Sequence, residues 1–131
     1  MATMKDVVID CAHPASLARF WAELLDGYAV APYDEAELER LQAMGIDDPE
    51  DDPGVIVEGP GPRFYFQRVP EGKVAKNRMH VDLWSDDRDA EVARLVALGA
   101  SLLEHQPPPD DDLIALADPE GNELCLVRRT S

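Results

Sequence analysis

The chain has 131 residues, 45% of them hydrophobic, and its 12 basic against 27 acidic side chains leave a formal charge of −15. That length and apolar content suit one folded domain with its own core. So large an acid excess cannot neutralise a polyanion, which excludes nucleic acid and anionic membranes as main partners.

No run approaches the roughly 20 apolar residues of a membrane span, and the opening MATMKDVVIDCAH lacks the apolar segment of a signal peptide. Cys11 and Cys125 alone make no disulfide framework, so a cytoplasmic protein with reduced thiols is expected.

In chain order, residues 6–11 (DVVIDC) read as a strand, and Pro14 opens a helix where its missing N–H costs nothing. Leu17, Phe20, Trp21, Leu24 and Leu25 then form one apolar stripe, closed by Gly27. A short strand is expected at about 28–32. Asp34 has the position of an N-cap, with Glu37 three residues on, for a short helix whose face is Leu38, Leu41 and Met44. The run DDPEDDPG at 47–54 reads as surface loop, and strands at 55–58 and 63–69 flank the turn-forming GPGP.

The order then repeats. A strand is expected over 77–84 (NRMHVDLW), and Asp86 or Asp87 caps a helix with Val92, Leu95 and Val96 inward, ended by Gly99. Strands at about 100–105, 112–117 and 122–128 follow, separated by the QPPPDDD loop and the turn Asp118-Pro119-Glu120-Gly121-Asn122. Each half thus runs strand–helix–three strands, with Asp6 and His80 at equivalent places. The implied fold is α+β, with two tandem βαβββ modules (about 5–70 and 76–129 of a single domain, 1–131). Their sheets would curl around one cavity with the helices outside.

Side chains alternate faces along a strand. Opposite the apolar faces, the strands carry Asp6, Asp10, Tyr65, Gln67, Arg78, His80, Asp82, Trp84, Glu123 and Cys125. Arg78 suits bidentate capture of a carboxylate or phosphate. Trp84 offers a stacking surface, and histidine is the natural proton carrier near neutral pH.

The segment His80–Ala100, with its His-bearing strand and helix ending LVALGA, resembles the vicinal oxygen chelate superfamily, as do the DPEGN turn and final strand that follow. That superfamily holds glyoxalase I, extradiol dioxygenases and bleomycin-resistance proteins. The opening VVIDCAHPASLARFWAELLDGY resembles its first module, and FQRVPEGK…KNRMHVDL is similar to the actinobacterial glyoxalase-like branch. Only an insertion at 34–53 lies outside the minimal pattern.

The resemblance implies metal ligands on the first and last strands of each module. His80 matches in type; Asp6 stands where His is usual, Cys125 where Glu is expected, and Tyr65 or Gln67 at the remaining position. Glyoxalase I needs a carboxylate-rich open site and extradiol cleavage two histidines and a carboxylate on iron, so both activities are disfavoured. No standard cofactor is expected. A nonstandard divalent site of His80 with Asp6 or Cys125, joined by Asp82 or Glu123, is the alternative, and the thiolate would favour zinc.

The reading that follows is a glyoxalase-like protein binding a small metabolite in the inter-module cavity, an anionic one if Arg78 anchors it. His80 and Asp82 would be the acid–base groups of lyase- or isomerase-type chemistry, and Arg78, Trp84, Tyr65, Gln67, Asp10 and Glu123 the ligand contacts. Whether it turns its ligand over is open, because the alternative is a non-catalytic protein sequestering a drug or natural product. The resemblance also implies a homodimer.

Overall fold

A computed structural model of the chain describes residues 1–109 and 112–129. It divides into two compact units, Met1–Gly72 and Lys73–Ser131. The first runs β1 (Asp6–Cys11), α1 (Pro14–Leu24), β2 (Ala29–Val30), α2 (Glu35–Ala43), a 3-10 turn (Pro49–Asp51), β3 (Gly54–Glu58) and β4 (Arg63–Arg68). The second runs β5 (Val81–Ser85), α3 (Arg88–Ala97), β6 (Ser101–Leu102), β7 (Leu113–Ala117) and β8 (Glu123–Arg128).

Both units follow one plan. The sheet orders are β1-β4-β3-β2 and β5-β8-β7-β6. In each, the opening strand lies parallel to the closing one, and the other pairings are antiparallel. These are the two tandem βαβββ modules expected from the repeat; neither sheet closes into a barrel. The repeat reaches detail. Gly27 after α1 has φ 77° and Gly99 after α3 has φ 117°, a conformation that side chains with a Cβ rarely adopt. A Cβ at Gly27 would come 3.3 Å from the ring of Pro60, and one at Gly99 would come 3.2 Å from that of Pro119. Each helix end is thus packed on the proline of the turn before its module's last strand.

In the first unit α1 buries Leu17, Ala18, Phe20, Trp21 and Leu24 as its stripe requires. The Trp21 ring stacks on Phe64 at 5.7 Å and meets Phe66 at 6.3 Å. Alternation in β4 therefore holds: Phe64 and Phe66 are buried, while Tyr65 and Gln67 take the other face. In the second unit Leu124 and Leu126 of β8 join Leu95 of α3 and Leu116 of β7 in the core.

Several boundaries differ from expectation. The strand foreseen at 77–84 begins only at Val81, and Met79, assigned to the apolar face, is exposed. Asn77 is held by a side chain of β8 and not by a backbone ladder, so alternation does not extend back to it. In α2 only Leu41 is buried, while Leu38 and Met44 lie open. Asp34 caps α2 as foreseen, accepting from the Glu37 N–H at 2.9 Å, and Asp87 caps α3. The run at 47–54 is no plain surface loop: it contains the 3-10 turn and the buried Asp52. The strand foreseen at 100–105 shrinks to Ser101–Leu102. Asp110 and Asp111 of the QPPPDDD loop lie outside the described residues.

Trp21 bridges α1 and β4 at the centre of the first unit. Trp21→Ala is expected to lower unfolding stability by about 3–5 kcal/mol, read as a lower urea midpoint with little change in slope.

Candidate functional site

The second unit gathers the chemistry. Glu123 opens β8, and its carboxylate collects the incoming chain. The Asn77 N–H donates to its Oε2 at 2.6 Å, and Lys76 Nζ lies 3.4 Å from its Oε1. Burial pushes this carboxyl up, but the Asn77 N–H and Lys76 outweigh it and hold the pKa below the usual range. The clamp delivers residues 78–80 to the start of β5, with Arg78 and His80 exposed.

His80 and Asp82 are two residues apart and meet: His80 Nε2 lies 3.1 Å from Asp82 Oδ1. Asp82 is paired across the parallel ladder with Cys125. One ligand atom from each of His80, Asp82 and Cys125 lies within 4.8 Å of the others. Burial and the Asp82 charge both raise the Cys125 thiol pKa, so it stays protonated at neutral pH and is a poor nucleophile unaided. Trp84 follows on the same face of β5, 62% exposed, with the Arg129 guanidinium 5.7 Å from its ring centre.

The first unit places the corresponding residues differently. Asp6 is bound through both oxygens by Arg63, at 2.6 and 3.2 Å. The Arg63 hydrogen bond holds the Asp6 carboxyl below the usual carboxylate range. Asp10 accepts from Gln67 Nε2 at 2.8 Å. Tyr65 and Gln67 lie on the open face of β4 and are half-buried. The ladders also settle correspondence between modules: Val8 pairs with Tyr65 as Asp82 pairs with Cys125, so Tyr65 and not Gln67 is the counterpart of Cys125.

Two functional-looking groups escaped the reading of the sequence. Asp118 of the DPEGN turn is 2% exposed, and its carboxylate accepts from the N–H groups of Glu120 and Asn122 and from the Asn122 amide. That role is structural: it folds the turn that starts β8. Asp52 is equally buried and accepts from the Tyr33 hydroxyl at 2.8 Å and the Gly54 N–H at 2.9 Å. The clustered acids of DDPEDDPG gave no sign of which one would turn inward.

A family model described as a glyoxalase-like domain matches residues 6–127. The chain belongs to the glyoxalase-like domain family. No curated protein matches it by sequence. Among solved structures it resembles a glyoxalase family protein from Bacillus cereus, at 19% identity and TM-score 0.61, covering 100% of this chain and 96% of that one. It also resembles the fosfomycin resistance protein FosX of Mesorhizobium loti, at 12% identity and TM-score 0.64 over 99% and 94% of the two chains. A glyoxalase/bleomycin resistance protein/dioxygenase family enzyme from Burkholderia phytofirmans matches at 12% identity and TM-score 0.65, over 97% and 98%. At these identities the likeness is one of fold, which does not carry function with it.

A glyoxalase-like member whose centre holds a histidine, a carboxylate and a thiol should show their coupling. Removing the Asp82 charge in Asp82→Asn is expected to lower the Cys125 pKa. Iodoacetamide labelling of Cys125, mapped by mass spectrometry, should then quicken between about pH 7 and 8.5. An unchanged pH profile would show that the two groups do not interact.

Proposed function

We propose that this glyoxalase-like protein binds a small metabolite at the centre formed by His80, Asp82 and Cys125, and that His80 moves a proton there in lyase- or isomerase-type chemistry. The convergence of those three side chains is the observation that carries the reading. Asp82, 3.1 Å from His80 Nε2, orients the imidazole, and histidine is the side chain suited to take and return a proton near neutral pH. Glu123 acts as a positioning residue, because it holds the segment that presents His80. Arg78, exposed two residues before His80, would hold a carboxylate or phosphate of the ligand, and Trp84 would stack on its body.

The same donors fit a divalent ion. A nitrogen, an oxygen and a sulfur lie within 4.8 Å of one another, so small side-chain movements would bring them onto one ion, and the donor types suit zinc. Partial exposure of all three leaves room for water or substrate as a further ligand. Bound there, zinc would polarise a substrate oxygen and stabilise negative charge developing on it. The set contains one histidine and a thiol, so neither glyoxalase I nor extradiol dioxygenase activity is proposed.

Protein prepared with zinc present and then dialysed should retain about one zinc per chain by elemental analysis, as a three-ligand site implies. His80→Ala and Cys125→Ser should lose it, while Asp10→Asn should not. No stoichiometric zinc in the parent chain would remove the metal. A metabolite panel whose thermal stabilisation is the same for parent and His80→Ala would remove the centre.

We also propose a cytoplasmic homodimer. The two cysteines stand as thiols, as a reducing compartment allows, and no helix among the described residues is long and apolar enough to cross a membrane. Val8 at 49% and Trp84 at 62% exposure are apolar surfaces that pairing would cover. Sedimentation at tens of micromolar should give twice the chain mass, and a monomer there would refute the dimer.

A further inference from the structure

The 34–53 segment lines part of a recess that lies wholly within the first unit and shares no residue with the centre proposed above. It has a volume of about 490 Å³, within the usual range for small-molecule pockets. α2 contributes Glu37 and Arg40, its C-cap Met44, and the segment after the 3-10 turn Asp52. Tyr33 stands just before α2, while Glu58 and Tyr65 come from β3 and β4.

The recess is fixed in shape. Asp52 is buried and ties Tyr33 to the Gly54 backbone. The Tyr65 ring lies against Gly54 so closely that a Cβ at that position would come within 2.8 Å of it. Glycine at 54 thus keeps the place for the ring.

The charges in it are unequal. Arg40 is the one cation lining the recess, and Glu37 already takes it, with Nε and Nη2 at 3.2 and 3.0 Å from one carboxylate oxygen. Its Nη2 also lies 3.8 Å from Asp52. Burial and the hydrogen bond to Asp52 push the Tyr33 phenol well above its ordinary pKa, so it remains neutral. Glu58 adds a third carboxylate. Arg63, the cation whose field reaches Glu58 from the neighbouring strand, is already held by Asp6. An anion entering here would meet three carboxylates and a guanidinium already engaged. A cation would meet unbalanced negative charge beside the Tyr65 ring and the Met44 thioether.

We propose that this recess binds a small organic cation, an ammonium or amidinium group on an apolar body. Glu58 supplies the charge and Tyr65 the aromatic face, while the Arg40–Glu37–Asp52–Tyr33 network holds the wall.

Calorimetry in about 0.15 M salt, where long-range attraction to the acidic surface is screened, tests this with 2-phenylethylammonium, its neutral analogue 2-phenylethanol, and phenylacetate. The cation should bind at least about tenfold more tightly than phenylacetate, with the alcohol between them. Glu58→Gln and Tyr65→Leu should each weaken the cation by about threefold to tenfold. Circular dichroism would check that both variants fold. Glu104→Gln, an exposed acid of the second unit, and His80→Ala should change its affinity less than about twofold. Equal binding of cation and anion, or no binding by the cation at millimolar concentration, would overturn the proposal. So would losses in Glu104→Gln as large as in Glu58→Gln, because attraction would then be to the surface at large. Loss in His80→Ala alone would place the cation at the other centre and refute this one.

Discussion

Parallel pairing between the first and last strand of each module is the constraint from which the rest follows. A parallel ladder needs a crossover, which here contains the helix and two intervening strands. The crossover covers one face of each sheet and fixes which side chains turn inward. Register does the remaining work. It sets Asp82 opposite Cys125, residues far apart in sequence, and so puts a nitrogen, an oxygen and a sulfur within reach of one another. A slip of one residue would turn every side chain of β8 over, sending Leu124 and Leu126 to the open face. The core residues of β8 therefore hold the chemistry of its opposite face in place.

The acids of this protein divide by how many donors surround them. Asp118 and Asp52 are buried; two backbone N–H groups and an amide meet the first, one backbone N–H and a phenol the second, as an inward carboxylate requires. Asp6 and Glu123 sit nearer the surface and are held by Arg63 and by Asn77 with Lys76. These four are fasteners. Asp82 differs: its described partner is an imidazole, itself able to lose its proton, and both side chains are substantially exposed. It is the acid on which the proposed proton movement at His80 would draw, where the other four hold the fold.

Much of this was legible in the chain. The helix stripe around Trp21, the Asp34 and Asp87 caps and the repeated order of elements are local signals that packing reinforced. His80 and Asp82 could be placed together because they are two residues apart, even though the strand starts after His80. The proximity of Cys125 depends on the parallel pairing of β5 with β8; the family resemblance, not the residue pattern, marked Cys125 as a ligand candidate. What could not be read was long-range and polar. Glu123 captures Asn77 with its side chain, which shortens β5 and leaves Met79 in solvent. Asp52 turns inward from a run in which five of eight residues are acidic. Neither event changes hydrophobic periodicity, so no pattern of apolar residues could announce it.

The two modules share a plan but have been furnished differently. Where the second has His80 against Asp82, the first has Asp6 closed by Arg63. Where the second has the Cys125 thiol, the first has the Tyr65 ring. A carboxylate already held by a guanidinium has little capacity left for an ion or a proton, so the first module is poorly suited to repeat the chemistry proposed for the second. Its own features suit the recognition proposed for it: α2 and the 3-10 turn, which have no counterpart in the element order of the second, a glycine that admits the Tyr65 ring, and carboxylates in excess of bases. An acidic composition would account for exposed carboxylates such as Asp47 and Asp51. It does not by itself account for Asp52, because burying a carboxylate costs free energy unless neighbouring groups are arranged to receive it. The donors around Asp52 meet that cost, and the wall they fix is the feature of this segment that solubility alone would not require.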